Sequence, residues 1–366
     1  MAPDKPTIVY KEGDGDIAVL NGKTLAMIGF GNQGRSQALN MRDSGLHVIV
    51  GNRDDTYKAR AEKDGFEVHP IVEAVQLADV CFLLVPDEVI RNVFERDVRQ
   101  YLKDNAAIVF ASGYNVAFGL IEPPANADVL LIAPRMIGVG VRECFLNKKG
   151  FFSFVHVHAD RSGNAKAVLL ALAKGVGSLV KGAIDVTFKQ EAVLDLFNEQ
   201  AFGPAFGRVL LSAISTLVDA GYPPEAVLVE MYMSGEMSYT YQKMGDVGLV
   251  KQTNFHSQTS QYGAMSRGIK FLSLPVKEKM KDILEHIENG GFAREWEQPI
   301  SRLKFKLIKF FAMRQKINKL EKDVRRRLGV VEKDILEAEP PTDEEMQALN
   351  KIKEELPAFE NSFSEF

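Results

Sequence analysis

Two acidic residues four positions apart are the first candidates for chemistry in this chain of 366 residues. Asp195 and Glu199 lie in a segment with helical periodicity, and side chains with this spacing project from one face of a helix. Two nearby carboxylates in an apolar environment repel each other unless a proton or a divalent cation lies between them. The pair is therefore a candidate site for a hard cation, although exposed acidic pairs of this kind are common on ordinary helices.

A third carboxylate, Glu230, lies in the apolar helical stretch 227–236, where an unpaired glutamate would be costly to bury. Glu236 follows six residues later and therefore lies on a different helix face, so the two need not share a ligand. Spacing alone does not assign these carboxylates to one ion.

A glycine-rich turn at residues 29–34 predicts a dinucleotide-binding site. It follows an apolar strand and opens a helix, so that Gly29 permits a tight turn, Gly31 lets the backbone approach a pyrophosphate, and Gly34 allows close packing of helix and strand. This context favours a nicotinamide cofactor over a purely structural turn. The predicted cofactor-binding residues of the turn are Gly29, Phe30, Gly31, Asn32, Gln33 and Gly34.

The end of the next strand predicts which cofactor binds, because the ribose of a dinucleotide lies there. Arg53 is placed to stack on adenine. Asp54 and Asp55 would accept hydrogen bonds from a free ribose and would repel a 2′-phosphate, so we expect NADH to be favoured over NADPH. The alternative is that these aspartates only cap a helix at the surface.

These candidates require a scaffold, and apolar runs that alternate with helical patterns up to Phe188 predict a parallel sheet covered by helices on both faces. This is the pattern of an α/β Rossmann domain, whose ligands bind at the carboxyl ends of the strands. Polar residues follow three strands, in segments 85–88, 111–115 and 133–138. The predicted strands are 25–28, 48–50, 80–85, 107–110, 129–133 and 152–157.

After Thr187, helical periodicity predicts an all-helical second domain with helices at 190–202, 207–220, 224–243, 277–289 and 302–327. The expected domains are 1–188 for NAD(P) binding, 189–329 for substrate, metal and dimerisation, and 330–366 as an acidic tail. Residues 302–327 contain eleven Lys or Arg. We interpret them as a solvated helix rather than a nucleic-acid-binding arm, because their phenylalanines have the spacing of a buried helix face.

The composition is typical of a soluble globular protein, with 46% hydrophobic and 26% charged residues. A net charge of −4 provides no general attraction for nucleic acid or membranes. We find no apolar run of about eighteen residues and no signal-peptide pattern, so we expect a cytoplasmic protein without a membrane partner. Two cysteines fit a reducing compartment.

Seven motifs together resemble one enzyme family: GFGNQG at 29–34, ALNMRDSG at 38–45, LVPDE at 84–88, GYNVAFG at 113–119, DLFNEQ at 195–200, TSQYG at 259–263 and GFAREW at 291–296. This family is the ketol-acid reductoisomerases of branched-chain amino-acid biosynthesis, and the resemblance extends over about residues 22–329. It implies a Rossmann domain, a knotted all-helical domain, and a homodimer whose intertwined helical domains complete each other's sites. It also implies NADPH or NADH and two Mg²⁺ ions, which promote alkyl migration in a 2-hydroxy-ketone acid before hydride reduces the resulting 2-keto acid.

The resemblance also assigns roles to individual residues. Asp195, Glu199 and Glu230 match metal-binding carboxylates, with Glu199 also expected to be catalytic and Glu230 also expected to contact substrate. Ser257 matches the substrate-binding serine. At the strand ends, Pro86, Asp87 and Gly113 complete the expected cofactor site.

Several positions depart from the family pattern. Ser234 stands where a fourth metal carboxylate is expected, Arg135 replaces the catalytic lysine, Ser112 replaces a histidine and Gln261 replaces a glutamate. A lost carboxylate weakens binding of the second ion, and arginine does not readily release a proton. Hydride transfer needs only a bound cofactor, an oriented carbonyl, and a cation or proton source near the developing alkoxide. Arg135, with Ser112 or Tyr114, provides these groups, and Arg135 is also suited to clamp an anionic substrate.

We therefore expect an NAD(P)H-dependent reductase of a small anionic 2-keto or 2-hydroxy-ketone acid, with isomerisation weakened or lost and with one or two Mg²⁺ ions. The alternative is a genuine Mg²⁺-dependent ketol-acid reductoisomerase in which Arg135 and Glu236 compensate for the changes. An alternative of another class is a cofactor-sensing or structural protein derived from a decayed enzyme.

Overall fold

The computed structural model describes residues 7–330. The chain divides into two compact units, Met1–Asp195 and Leu196–Phe366, called here the N-terminal and C-terminal units. The predicted acidic tail, apart from Val330, lies outside the described residues.

The N-terminal unit is built around a nine-stranded sheet with the order β1-β9-β8-β7-β6-β5-β2-β3-β4. The strands are β1 Val9–Tyr10, β2 Thr24–Ile28, β3 His47–Gly51, β4 Glu67–His69, β5 Val80–Leu83, β6 Ala107–Phe110, β7 Asp128–Pro134, β8 Phe152–Ala159 and β9 Gly182–Asp185. Strands β2 to β7 pair in parallel, as predicted, and form the Rossmann part of the sheet.

The prediction of a wholly parallel sheet was wrong at one side. Strand β8 is antiparallel to β7, and the two-residue strand β1 is antiparallel to β9. Strands β1, β4 and β9 were not predicted, because they are short and lack a continuous apolar run.

Alternating side chains of the central strands fill two separate cores, one on each face of the sheet. In β2, Leu25 and Met27 belong to the core covered by α1 (Asn32–Asp43) and α7 (Ala165–Val176). Ala26 and Ile28 belong to the core covered by α3 (Ile71–Leu77) and α4 (Asp87–Val93). Both faces are therefore apolar and covered, which confirms the expected layered architecture. The helices of this part are α1 Asn32–Asp43, α2 Thr56–Lys63, α3 Ile71–Leu77, α4 Asp87–Val93, α5 Tyr114–Ala117, α6 Gly138–Leu146, α7 Ala165–Val176 and α8 Phe188–Phe197.

Shorter helical segments accompany these elements. The 3₁₀ segments are Glu12–Asp14, Ile17–Leu20, Arg99–Tyr101, Ser178–Val180, Lys251–Phe255 and Ile269–Phe271. The π-helical segments are Phe94–Val98, Asn198–Phe202 and Val229–Met233.

All described elements of the C-terminal unit are helical, which confirms the expected fold class. The helices are α9 Gly203–Asp219, α10 Pro224–Leu228, α11 Glu236–Val247, α12 Gln258–Gly268, α13 Val276–Glu288, α14 Gly291–Trp296, α15 Pro299–Ala312 and α16 Lys316–Arg327. Two predicted helices are each divided. The one expected at 224–243 breaks at Gly235, whose φ of 84° lies in the left-handed region, and the one expected at 302–327 breaks between α15 and α16.

The helical run Phe188–Asp219 is long and apolar enough to cross a membrane by length and composition alone. This corrects the expectation that no stretch reaches membrane length. A core helix of a soluble protein passes the same test, so the finding is weak evidence, and the absence of a membrane partner stays a prediction.

Candidate active site

The glycine turn has the geometry that a dinucleotide requires. Gly29 has a φ of 98°, and an added Cβ would lie 2.9 Å from the carbonyl oxygen of Leu84. A Cβ on Gly34 would collide with the carbonyl of Gly29, whereas a Cβ on Gly31 would meet no atom within 4 Å. Gly31 precedes α1 without a side-chain cap, so the first amides of α1 are available to phosphate oxygens. The turn therefore fits a dinucleotide, with Gly31 facing the open side.

Strand order places this turn at the usual position for a cofactor. Strand β2 pairs with β3 on one side and with β5 on the other, so the order of the sheet reverses direction at β2. Ligands of open α/β sheets bind beside such a switch point, at the carboxyl ends of the strands. Pro86 and Asp87 follow β5, and Gly113 follows β6, at this same edge.

The two aspartates after β3 differ in their surroundings. Asp55 is the N-cap of α2 and accepts hydrogen bonds from the backbone amides of Tyr57 and Lys58 and from Nε of Arg53. Burial raises the pKa of Asp55, but the bonds from Arg53, Tyr57 and Asn52 outweigh it and leave the pKa below its usual value. Asp54 has a side chain that is 93% exposed and contacts Nζ of Lys58. The capping interpretation therefore applies to Asp55, and Asp54 is the aspartate that is open to a ribose.

Arg135, directly after β7, is held between two carboxylates of α8. Its Nη1 donates to Oε1 of Glu191 at 2.9 Å, and its Nη2 donates to Oδ1 of Asp195. The guanidinium also lies over the ring of Phe154, with 5.0 Å between Cζ and the ring centroid. The Arg135 side chain keeps some exposure, so it presents a fixed positive charge at the carboxyl edge of the sheet.

Glu191 joins this arginine to the loop after β6. Its side chain is 1% exposed, and its Oε2 accepts the backbone N–H of Gly113 at 2.6 Å. Burial raises the pKa of Glu191 to about 7, with further raising by Asp195 and opposite effects from the Gly113 amide and Arg135. Gly113 cannot carry a side chain here, because a Cβ would collide with the carbonyl of Phe188. Glu191 therefore fixes both Arg135 and the β6 loop.

A second carboxylate with a raised pKa, Asp87, begins α4 beside this cluster, although the residue keeps solvent exposure. Desolvation by the surrounding protein raises its pKa to about 6, while a hydrogen bond from Nδ2 of Asn115 lowers it and the charges of Glu88 and Asp195 raise it. The expected catalytic hydroxyls, of Ser112 and Tyr114, lie just before and at the start of α5, which also carries Asn115. Ser112 is half-buried and accepts the N–H of Tyr114 at its Oγ, and Tyr114 is buried beside Phe118.

Comparison with known proteins identifies the family. A model described as "Acetohydroxy acid isomeroreductase, NADPH-binding domain" matches residues 19–182, and one described as "Ketol-acid reductoisomerase, C-terminal domain" matches residues 188–329. The chain belongs to the ketol-acid reductoisomerase family. It is therefore an NAD(P)H-dependent oxidoreductase of the type found in branched-chain amino-acid biosynthesis, as the resemblance implied.

Relatives and a solved structure match along most of the chain. The "Putative ketol-acid reductoisomerase 3" of Saccharolobus solfataricus is 42% identical over 317 residues, covering 85% of this chain and 95% of the relative. The "Ketol-acid reductoisomerase (NADP(+))" of Petrotoga mobilis is also 42% identical, over 289 residues, covering 78% of this chain and 87% of the relative. A solved NADH-preferring ketol-acid reductoisomerase from an uncultured archean has 32% identity and a TM-score of 0.82, covering 87% of this chain and 98% of that one.

The other carboxylates expected from this family lie in the C-terminal unit. Glu199 and Glu230 each lie in a π-helical segment, a local irregularity that is frequent at functional sites. Ser257 is the N-cap of α12, and its Oγ accepts the N–H of Ser260 at 3.2 Å. Within residues 7–330, no group of three or more His, Cys, Asp or Glu side chains is arranged to hold a metal ion. The metal-binding roles expected for Asp195, Glu199 and Glu230 stay predictions.

Sequence reasoning missed Glu191, although a signal was present. Glu191 precedes Asp195 by four residues, as Asp195 precedes Glu199, so the three carboxylates repeat along one helix face. Its partner Arg135 is 56 residues away in the chain, and only the sheet order brings the two together.

Proposed function

We propose that this protein is an NADH-dependent reductase of a small anionic 2-keto acid, and that its isomerisation of 2-hydroxy-ketone acids is weakened. The observation that carries this proposal is the pairing of Arg135 with both Glu191 and Asp195. The family places a lysine where Arg135 lies and uses the aspartate matched by Asp195 as a metal ligand.

Arg135 competes with a divalent cation for Asp195. A carboxylate oxygen that accepts a charge-assisted hydrogen bond from a guanidinium is a poorer metal ligand, because the ion must first displace that donor. Ser234 removes a further negative charge expected near the metals. Both changes reduce the affinity for Mg²⁺, on which the migration step depends more strongly than the reduction does.

The same arginine supports reduction. The nicotinamide cofactor, when bound, supplies the hydride that is added to the carbonyl carbon. Arg135 is always charged, so it stabilises the negative charge that develops on the carbonyl oxygen without first being protonated. The forked guanidinium is also suited to bind the carboxylate of the substrate. Ser112, between β6 and α5, is the expected hydroxyl donor, whereas Tyr114 begins α5 with its hydroxyl buried.

Asp54 supports a preference for NADH. Its exposed carboxylate lies just beyond the carboxyl end of β3, where it would repel a 2′-phosphate and accept a bond from a free 2′-hydroxyl. The solved archaeal relative is described as NADH-preferring, whereas the Petrotoga relative is named for NADP(+). Direct titration with both cofactors tests this part, and tighter binding of NADPH contradicts it.

We also propose that the protein forms a homodimer through its C-terminal unit. In the C-terminal unit, many large apolar side chains are exposed, as with Tyr262, Phe271 and Leu272. Exposed apolar patches of this kind mark surfaces that associate with other protein. Pairing of two C-terminal units would cover them and would give Glu199 and Glu230 the additional partners that a Mg²⁺ site requires.

The discriminating experiment measures NADH oxidation with acetolactate and with a panel of pre-formed 2-keto acids, with Mg²⁺ and with EDTA. Turnover of 2-keto acids that survives EDTA, together with little turnover of acetolactate, supports the proposal. Efficient Mg²⁺-dependent turnover of acetolactate would instead identify a genuine ketol-acid reductoisomerase. The family matches over both domains are equally consistent with that function and with the proposed one. Failure to bind either cofactor would favour the decayed structural protein.

A further inference from the structure

One face of α1 carries three amide side chains, and two of them contact the segment after Arg135. Gln33 donates from Nε2 to the carbonyl oxygen of Met136 at 2.9 Å. Gln37 donates from Nε2 to Oε1 of Gln33 at 3.3 Å, and Asn40 donates from Nδ2 to the carbonyl oxygen of Val141 at 3.4 Å. Positions 33, 37 and 40 lie on one helix face, and we call them the amide row.

The amide row begins inside the cofactor-binding turn and reaches the loop that carries Arg135. Gln33 is the second residue of α1 and was expected to contact the cofactor, but its side-chain amide bonds Met136, so only its backbone is left to face the dinucleotide. Met136 follows Arg135 in the chain, and the backbone N–H of Arg135 is fixed to the carbonyl oxygen of Phe152 at 2.8 Å. The two loops also contact through their backbones, since a Cβ on Gly138 would collide with the carbonyl of Asn32.

Gln37, in the middle of the amide row, is buried in a way that lowers stability. Gln37 is completely buried, and its Oε1 has no hydrogen-bond partner. An apolar side chain would avoid the unsatisfied acceptor, so a glutamine that serves only packing is unfavourable here. What the glutamine adds at this position is the bond that holds the Gln33 amide toward Met136.

We propose that Gln33, supported by Gln37, is a positioning residue that couples occupation of the cofactor turn to the placement of Arg135. The inference rests on the proposed function, because it assumes that Arg135 acts on the substrate of a dinucleotide-dependent reaction. Binding energy at one loop can affect the other only through a physical connection whose arrangement both sites influence, and the amide row is such a connection.

The test uses hydrogen–deuterium exchange of the full-length protein with and without NADH, followed by steady-state kinetics. In the wild type, we expect NADH to slow exchange in the segment 136–141. In Gln33→Met, we expect this protection to be lost and kcat for 2-keto acid reduction to fall about fivefold, as expected for a lost hydrogen bond, while the Kd for NADH changes less than threefold. Gln37→Met should reduce the protection in the same direction by a smaller amount, and it provides a second variant should Gln33→Met fail to fold.

Gln100→Met is the matched control, because the exposed Gln100 side chain donates to the carbonyl oxygen of Arg96, four residues earlier and outside both loops. It should behave as the wild type. The inference is overturned if NADH does not protect segment 136–141 in the wild type, if Gln33→Met keeps the protection, or if its main effect is a large loss of NADH affinity. Absence of NADH binding by the wild type would instead overturn the proposed function itself, so the two failures are distinguishable.

Discussion

The two units differ in how completely each forms a core of its own. The N-terminal unit buries apolar side chains on both faces of a central sheet, whereas the described residues of the C-terminal unit include a smaller buried cluster that contains Ile214, Leu228 and Val324. Large apolar side chains of the C-terminal unit remain exposed, with Leu272 at 79%. The contrast indicates that the N-terminal unit can build the cofactor turn and the Arg135 cluster by itself. We infer that the carboxylates of the C-terminal unit become a site only in an assembly.

The largest predicted effect comes from removing the charge of Arg135. We expect Arg135→Met to lower kcat/KM for 2-keto acid reduction by about 100-fold or more, because the developing negative charge loses its stabilising cation. Arg96→Met, at an exposed arginine paired with Asp97, should retain wild-type turnover. Steady-state kinetics provides the measurement, and a loss below tenfold for Arg135→Met would indicate that reduction does not depend on this cluster.

Substitutions of leucine in the two units should act on different properties. Changing Leu131, which is fully buried in β7, to Ala should lower the free energy of unfolding by about 3 kcal/mol, because a cavity remains in a packed core. The exposed Leu272, when changed to Asp, should instead weaken self-association at least about tenfold, since a charge would be buried in the contact. Urea unfolding and sedimentation measure the two effects. A monomeric wild type, or a Leu272→Asp variant that associates normally, would remove the proposed role of the C-terminal unit.

The pH dependence of stability should depend on Glu191. Burial raises its pKa to about 7 in the folded protein, so between the unfolded value of 4.5 and about 7 the folded state holds a proton that the unfolded state has released. Stability therefore falls as pH rises through this window and levels off above it. Between pH 5 and 7.5, the free energy of unfolding of the wild type should fall by roughly 2 kcal/mol more than that of Glu191→Gln. If the free energy of unfolding had the same pH dependence in both proteins, the pairing with Arg135, and not burial, would determine the pKa of Glu191.

The smallest effects should separate the neighbouring aspartates. Asp55→Ala should lower the unfolding free energy by about 1 kcal/mol through loss of the α2 cap, and this difference should shrink as pH falls through the lowered pKa of Asp55.

Asp54→Ser should leave stability nearly unchanged and raise affinity for NADPH by about tenfold, because a like charge near the 2′-phosphate is removed. Calorimetry with both cofactors measures the second effect. If Asp55→Ala, rather than Asp54→Ser, changed the cofactor preference, the assignment of these two residues would be reversed.

Much of the N-terminal unit could be predicted because its strands are continuous apolar runs and its glycine turn requires particular backbone conformations. The strands β4 and β9 escaped prediction because they are short and partly polar, and the break at Gly235 depends on a left-handed residue within an otherwise helical pattern. The choice between Asp54 and Asp55 depends on which carboxylate turns back to cap α2.

The Arg135 cluster escaped prediction for a different reason. It joins β7, α8 and the loop after β6, so the contact between Arg135 and Glu191 follows from tertiary structure alone. Only the spacing of the acidic residues along α8 was visible in the sequence.

The most direct test of the central claim is the ratio of acetolactate turnover to 2-keto acid turnover, measured with NADH and saturating Mg²⁺ in the wild type and in Arg135→Lys. We predict a low ratio in the wild type and an increase in Arg135→Lys, because a lysine has a single nitrogen in place of the two Nη groups that bond Glu191 and Asp195, and so holds Asp195 less firmly and leaves it more available to Mg²⁺. A high ratio in the wild type that Arg135→Lys does not raise would contradict the claim.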